Sequence, residues 1–343
     1  MVNSQTHPRT ALAPHFLGAG KIGFAEREVP EPGHGQLLLR VEANAICGTD
    51  REQYFEGSDI VPGHEAAGTV IAAGPGTTTA GGARGAVYLM DYCGECRSCR
   101  LGHTNQCFAK RNDMGFTADG GYGPFELVHE TNFFPVPDEI SAVEATLLLD
   151  VMGTGGHALE RILRVRPDLE SLYVAGAGPI GLGVLAMAKL KLGVAVPVYI
   201  SDVSEWRRTF AENLGGVAVD ALDASALADV PDVDAAVDST GKQVAREAAL
   251  RKIGKRGVLA CVGHGEDLHL TVSPDLIAPE RAVLGSEYFR YDEMTENLAL
   301  LARHRDELAK IVTHVMPVAE IAAAFELFLA GETGKVVIVQ DAG

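Results

Sequence analysis

No stretch of this chain approaches the roughly 18 continuous apolar residues of a membrane-spanning helix. The most apolar run, 180–200, is broken by Lys189, Lys191 and Pro197. Met1 to Leu12 lacks the apolar core of a secretory signal, which sets a cytoplasmic expectation with no membrane partner. Lysine and arginine form no cluster, and acidic residues outnumber basic ones 46 to 29, for a formal charge of −17. Such a surface argues against nucleic acid as a partner. Cysteine is scarce too: outside one short loop, only two of the six remain. Internal repeats and low-complexity tracts are absent. What is left is a globular chain of 343 residues, 47% apolar and 22% charged, long enough for two domains.

The exception to that scarcity is Cys93-Gly-Glu-Cys96-Arg-Ser-Cys99, followed after seven residues by Cys107. Thiolates at such short, turn-rich spacing converge on one tetrahedral ion, and Zn²⁺ is the usual occupant of a four-cysteine site. With four protein ligands no coordination position stays open, so the loop reads as structural and the chemistry belongs elsewhere. Cysteines gathered at metal spacing also fit a reducing compartment.

Residues 35–135 read as short strands separated by glycine and proline turns, among them Leu37 to Ala43, Gly68 to Ala73 and Phe125 to His129. From Leu172 the pattern changes. Apolar strands at 172–175, 198–200, 235–237 and 258–262 alternate with helical patterns at 180–192, 205–214 and 243–252. That alternation predicts a parallel sheet covered on both faces. The tail is mixed, with helices at 292–304 and 318–329 and a strand at 335–339.

Gly176-Ala-Gly178-Pro179-Ile180-Gly181 follows the first of these strands and opens the first helix. The strand–turn–helix context makes it a dinucleotide fingerprint. Gly176 permits the turn, Gly178 lets a pyrophosphate approach, Gly181 allows close packing, and Pro179 and Ile180 begin a helix whose N-terminus attracts phosphate. Asp202 ends the next strand, where a carboxylate accepts from a ribose 2′-OH and repels a 2′-phosphate, so NAD(H) is preferred over NADP(H). Arg207 and Arg208, a turn further on, temper that preference and otherwise read as solvated helix positions.

Cys47-Gly-Thr49-Asp50 and Gly63-His64-Glu65 carry donors suited to a second metal, although spacing alone does not show that they converge. Together with the cysteine loop, Asp119-Gly-Gly121, the glycine motif and Gly334-Lys335-Val-Val, they form an ordered set. That set resembles the zinc-dependent medium-chain dehydrogenase/reductase family over nearly the whole chain. The resemblance implies an α/β architecture with a GroES-like antiparallel β catalytic domain (1–150) carrying both zincs. A Rossmann doubly wound parallel-sheet domain (151–288) would follow, with a return to the catalytic domain at 289–343.

By the same resemblance, Cys47 and His64 match catalytic zinc ligands, and Glu65 matches a carboxylate that some members use as a ligand. Asp150 falls where relatives carry cysteine or glutamate, and direct or water-mediated binding both stay open. Thr49 matches a proton-relaying hydroxyl and Asp50 the carboxylate that orients the histidine. Glu52 stands where many members keep a relay histidine, and Gly82-Ala-Arg84-Gly85 departs from the usual turn. The implied reaction interconverts a secondary alcohol and a ketone with two zincs per chain and NAD(H), in a homodimer or homotetramer. The absence of cysteine at 150 favours a small hydroxylated substrate, a sugar, polyol or cyclitol, over a simple alcohol or threonine. Glu287 and Arg290 are candidates to bind its hydroxyls. A non-catalytic nucleotide sensor is the rival reading, and the intact set Cys47, Thr49 and His64 argues against it. His103, His157 and Cys261 read as non-ligands.

Overall fold

Alternating strand and helix patterns in the middle of the chain close into a six-stranded parallel sheet. In the structure, a computed structural model that describes residues 7–340, its order is Val217–Asp220, Val198–Asp202, Leu172–Ala175, Val233–Asp238, Ile253–Cys261, Ala282–Gly285. Leu172–Ala175 is buried along its whole length, as a central strand covered on both faces must be. The chain leaves it toward one edge and later returns to build the other. The switch point, where such sheets bind ligands, therefore lies beyond the carboxyl ends of Leu172–Ala175 and Val233–Asp238.

Helix Pro179–Leu192 packs beside these strands, with seven of its residues buried between Gly181 and Ala188. Proline at its first position suits the helical φ, and Lys189 and Lys191 in its last turn complement the dipole. Both edge strands, Val217–Asp220 and Ala282–Gly285, escape the pattern-based reading because half-exposed edges carry a diluted apolar signal.

The second sheet has seven strands, in the order Val312–Pro317, Lys335–Val339, Gln36–Ala45, Ala66–Ala73, Arg84–Val87, Phe133–Pro135. Phe125–His129 also pairs with Gln36–Ala45. Pairing is antiparallel except between Val312–Pro317 and Lys335–Val339. Gln36–Ala45 lies at its centre, and Leu37, Leu38 and Leu39 are fully buried. Arg84, read as part of a loop, begins a strand and donates to the Asp138 carbonyl. An N-terminal hairpin, Thr10–Gly18 with Lys21–Glu28, packs on helix Asp50–Glu56.

The chain passes between the sheets through helix Ala142–Thr146, a π-helical turn at Asp150–Thr154 and helix Gly155–Leu163. Ser141 and Glu144 close a capping box at the entry. The largest apolar cluster spans this passage, joining Tyr88 and Leu147–Leu149 to Leu172, Val174 and Leu182. Asp150 is thus held in a packed joint between the two sheets. Among the described residues, no helix is long and apolar enough to cross a membrane.

Candidate active site

Two groups of metal-competent side chains stand on the side of the seven-stranded sheet. In the cysteine loop, adjacent sulfurs lie 3.5–4.0 Å apart. That brackets the edge of about 3.8 Å expected for a tetrahedron with bonds of about 2.3 Å to zinc. Backbone amides turn toward the sulfurs: Cys96 N–H to Cys93 Sγ at 3.3 Å, and Cys99 and Phe108 N–H to Cys96 Sγ at 3.5 Å each. The amides of Cys99 and Phe108 pull the Cys96 thiol down to about 6. The donor set fits a closed Zn²⁺ site.

The second group is Cys47, His64, Glu65 and Asp150, whose ligand atoms all lie within 4.8 Å of one another and which are all buried. Cys47 leaves the end of strand Gln36–Ala45, His64 and Glu65 precede strand Ala66–Ala73, and Asp150 opens the π-helical turn. His64 Nδ1 faces Asp50 Oδ1 at 3.2 Å, and its Nε2 faces Asp150 Oδ2 at 3.7 Å. The proton therefore belongs on Nδ1, leaving the Nε2 lone pair for the cluster. Thr154 donates to Asp150 Oδ1 at 3.1 Å, so Oδ2 is the oxygen free to ligate. Thr49, exposed beside the cluster, donates to Cys47 Sγ at 3.4 Å. Phe116 lies against the His64 ring, with centroids 4.9 Å apart.

One member of the site carried no role in the sequence reading. Lys335, fully buried, forms an ion pair with Glu65. The Gly334-Lys335 motif marked the residue, but only the sheet shows that strand Lys335–Val339 aims it at a glutamate 270 positions earlier.

Electrostatics distinguish the two carboxylates. Burial and the nearby Asp150 charge raise Glu65 well above its ordinary value, against Lys335. Burial would raise Asp150 as well, but the hydrogen bond from His64 and the Lys335 charge outweigh it and hold it low. Burial pushes the Cys47 thiol up, and Asp150 adds to that. Glu65 Oε2 is buried without a hydrogen-bond partner. A thiol, an imidazole and two carboxylates sealed together, with one oxygen orphaned, fit a dication.

At the switch point, Gly176 has φ +96°, a conformation that glycine adopts without strain. A Cβ on Gly181 would lie 1.8 Å from the Gly176 carbonyl oxygen. Ser239 Oγ ties the turn to the neighbouring strand by donating to the Ala175 carbonyl at 2.9 Å. Asp202 accepts from the Ala177 and Ser204 amides, each at 2.9 Å, so its charge is fixed beside the glycine turn.

The two arginines separate. Arg208 donates to the Asp202 carbonyl and pairs with Asp220 at 2.9 Å, which commits it to the fold. Arg207 lies 4.0 Å from Asp202 and within reach of Gly178, with its buried Nε unpartnered. Neither is a freely solvated position, because the helix packs against the strand ends. The crevice has the features a dinucleotide needs.

The remaining candidates lie outside the metal cluster. Glu287 pairs with His264 at 3.3 Å, and Arg290 donates to Asp292 at 2.9 Å while lying against Gly102. His157 is buried and pairs with Glu293 at 2.9 Å, which links the helix after Asp150 to helix Glu293–Arg303. His103 is half-buried where it leads into the short Thr104–Gln106 turn, and Cys261 is half-buried at a strand end. Glu52 is exposed.

Sequence models of the alcohol dehydrogenase GroES-like domain and of a zinc-binding dehydrogenase match residues 33–138 and 179–303. L-threonine 3-dehydrogenase of Pyrococcus abyssi (strain GE5 / Orsay) is 30% identical, covering 92% of this chain and 94% of that protein. The chain belongs to the zinc-dependent medium-chain dehydrogenase/reductase family. This dehydrogenase is an oxidoreductase with a GroES-like and a Rossmann-type domain, of a family acting on small molecules. A zinc-binding dehydrogenase of Sinorhizobium meliloti 1021, solved bound to NADP, matches with TM-score 0.84 and 25% identity, over 96% of this chain and 99% of that one. L-Idonate 5-dehydrogenase of Escherichia coli K-12 shares the fold at TM-score 0.82 and 22% identity, over 96% and 97% of the two chains.

Proposed function

We propose that this dehydrogenase interconverts a secondary alcohol and a ketone on a sugar, polyol or cyclitol, with NAD(H) preferred over NADP(H). The observation that carries the reading is the buried convergence of Cys47, His64, Glu65 and Asp150. Bound there, Zn²⁺ would supply Lewis acidity toward the substrate oxygen, and NAD⁺ would be the hydride acceptor.

The chain's own residues do the rest. Cys47, His64 and Asp150 would hold the metal, with Glu65, paired with Lys335, beside it. Thr49 takes the hydroxyl proton toward solvent. Gly176, Gly178, Pro179, Ile180 and Gly181 seat the pyrophosphate, while Asp202 and Arg207 face the ribose. The cysteine loop would hold the second zinc. Cysteines gathered at metal spacing support a reducing, cytoplasmic setting, and a homodimer or homotetramer follows family habit.

A neutral hydroxylated substrate suits the charges. Lys335 is committed to Glu65 and Arg290 to Asp292, so neither is released to receive a substrate carboxylate. L-Threonine is the second reading, favoured by the name of the Pyrococcus relative. Arg51, exposed and 5.9 Å over the Phe55 ring, is the cation that could serve it. Initial rates of NAD⁺ reduction across polyols, cyclitols, sugars, L-threonine and aliphatic alcohols test the proposal. Turnover confined to threonine or aliphatic alcohols would overturn the substrate class.

A further inference from the structure

Asp50 is completely buried, with both hydrogen bonds on Oδ2 and only an ion-pair contact at Oδ1. Oδ1 faces His64, while Oδ2 accepts from the Cys47 amide at 3.0 Å and from the Tyr122 hydroxyl at 2.7 Å. Two donors on one oxygen fix the rotation of the carboxylate, and that rotation aims the other oxygen at the imidazole. Tyr122 is itself fully buried. Burial, and then the Asp50 charge, raise its phenol well above the ordinary value, so it remains a donor.

The Tyr122 ring is held by parts of the chain far from the cluster. Phe16 of the N-terminal hairpin stacks on it at 5.8 Å and 19°. Phe325 of helix Ile321–Ala330 meets its edge at 5.8 Å and 69°. Gln340 donates to its carbonyl at 2.9 Å.

We infer that Tyr122 is a positioning residue for the metal site, acting through Asp50 on His64 and set in place by both ends of the described chain. This rests on the metal reading of Cys47, His64 and Asp150. Removing the hydroxyl leaves Oδ2 with one donor, which frees the carboxylate to turn and makes it a stronger base toward His64 Nδ1–H. His64 then loses orientation while gaining basicity. Carboxylates behind metal-binding histidines typically change metal affinity 10–100-fold when disturbed.

The test is zinc release from the holoenzyme into excess EDTA, with the phase of the cysteine-loop zinc assigned from Cys96→Ser. Tyr122→Phe is expected to speed release of the other zinc about tenfold and to leave the cysteine-loop phase unchanged. The inflection of kcat against pH should move upward, since a more basic His64 lowers the pull on the substrate proton. Gln340→Ala, which keeps the hydroxyl but loosens its anchor, should speed the same phase by a smaller factor. Release within twofold of wild type with an unchanged pH profile would overturn the role, and so would equal acceleration of both phases. A wild-type protein holding only the cysteine-loop zinc would instead refute the metal reading on which the inference rests.

Discussion

The two metal-competent clusters are built in opposite ways. The cysteine cluster draws all four sulfurs from a span of fifteen residues and is steadied by amides of the same loop. The other takes donors from two strand ends and a π-helical turn about a hundred residues apart, and steadies them with Lys335, Thr154 and Asp50. Three of the four cysteines of the first are only half-buried, whereas every donor of the second is sealed from water. A local loop can serve as a brace. A site that must hold charge out of water needs the whole fold around it.

Cys47→Ser attacks that contrast most directly. It should lower kcat/KM about 1,000-fold or more, because a Lewis acid supplies several kcal/mol of transition-state stabilisation. Zinc analysis should show one metal lost and the cysteine-loop metal kept; near-normal turnover at half the zinc content would break the division of labour. Lys335→Met should cost about 3–5 kcal/mol of stability, the usual penalty for stranding one member of a buried pair. Urea denaturation should find the loss larger in metal-stripped protein, where no cation replaces the ammonium beside Glu65.

Cys96→Ser should cost about 3 kcal/mol, since structural zinc binding is folding free energy. Thermal melts would then drop while activity per folded molecule persists. A variant that kept its melting point would deny the loop its bracing role. Asp202→Ala should reduce kcat/KM for NAD⁺ about tenfold, the weight of one hydrogen bond to a charged group, with a smaller change for NADP⁺. Equal loss with both coenzymes would remove Asp202 as the discriminator.

Glu126 provides a control. Like Glu65 it is sealed in the core, but neither of its oxygens has a partner, and no thiol or imidazole is grouped with it. Burial, and then the Asp119 charge, raise its carboxyl well above the ordinary value. A group raised on folding stabilises fully below its unfolded pKa and loses that contribution as pH climbs toward the folded one. Wild type should therefore weaken above about pH 4.5, by up to about 1.4 kcal/mol per unit. Glu126→Gln cannot titrate, so urea melts should show its relative stability growing from about pH 5 to about pH 8. A constant difference would mean that Glu126 is ionised in the fold.

The same contrast explains what could be read from the chain alone. Cys93 to Cys107 and Gly176 to Gly181 announce themselves because their geometry is local. Cys47, His64 and Asp150 were reachable only through family resemblance, since their convergence depends on strand pairing that spacing does not encode. The Glu65–Lys335 pair spans 270 positions and the Tyr122–Asp50 contact 72, so neither leaves a periodic trace. Arg207 and Arg208 looked alike as neighbours on a helix. Only the strand end at Asp202 and the position of Asp220 separate the one facing the glycine turn from the one fixed in the framework.

Strand Lys335–Val339 sits next to Gln36–Ala45 and carries the counter-charge of Glu65. During synthesis at about 5–20 residues per second, the intervening 270 residues take roughly 15–50 s to emerge. For that interval the nascent chain presents Glu65 without its lysine and a central strand with an open edge. The cysteine loop, complete within a second or so of translation, can take its ion long before. The donors of the cysteine loop are thus complete long before the ion pair that closes the other cluster.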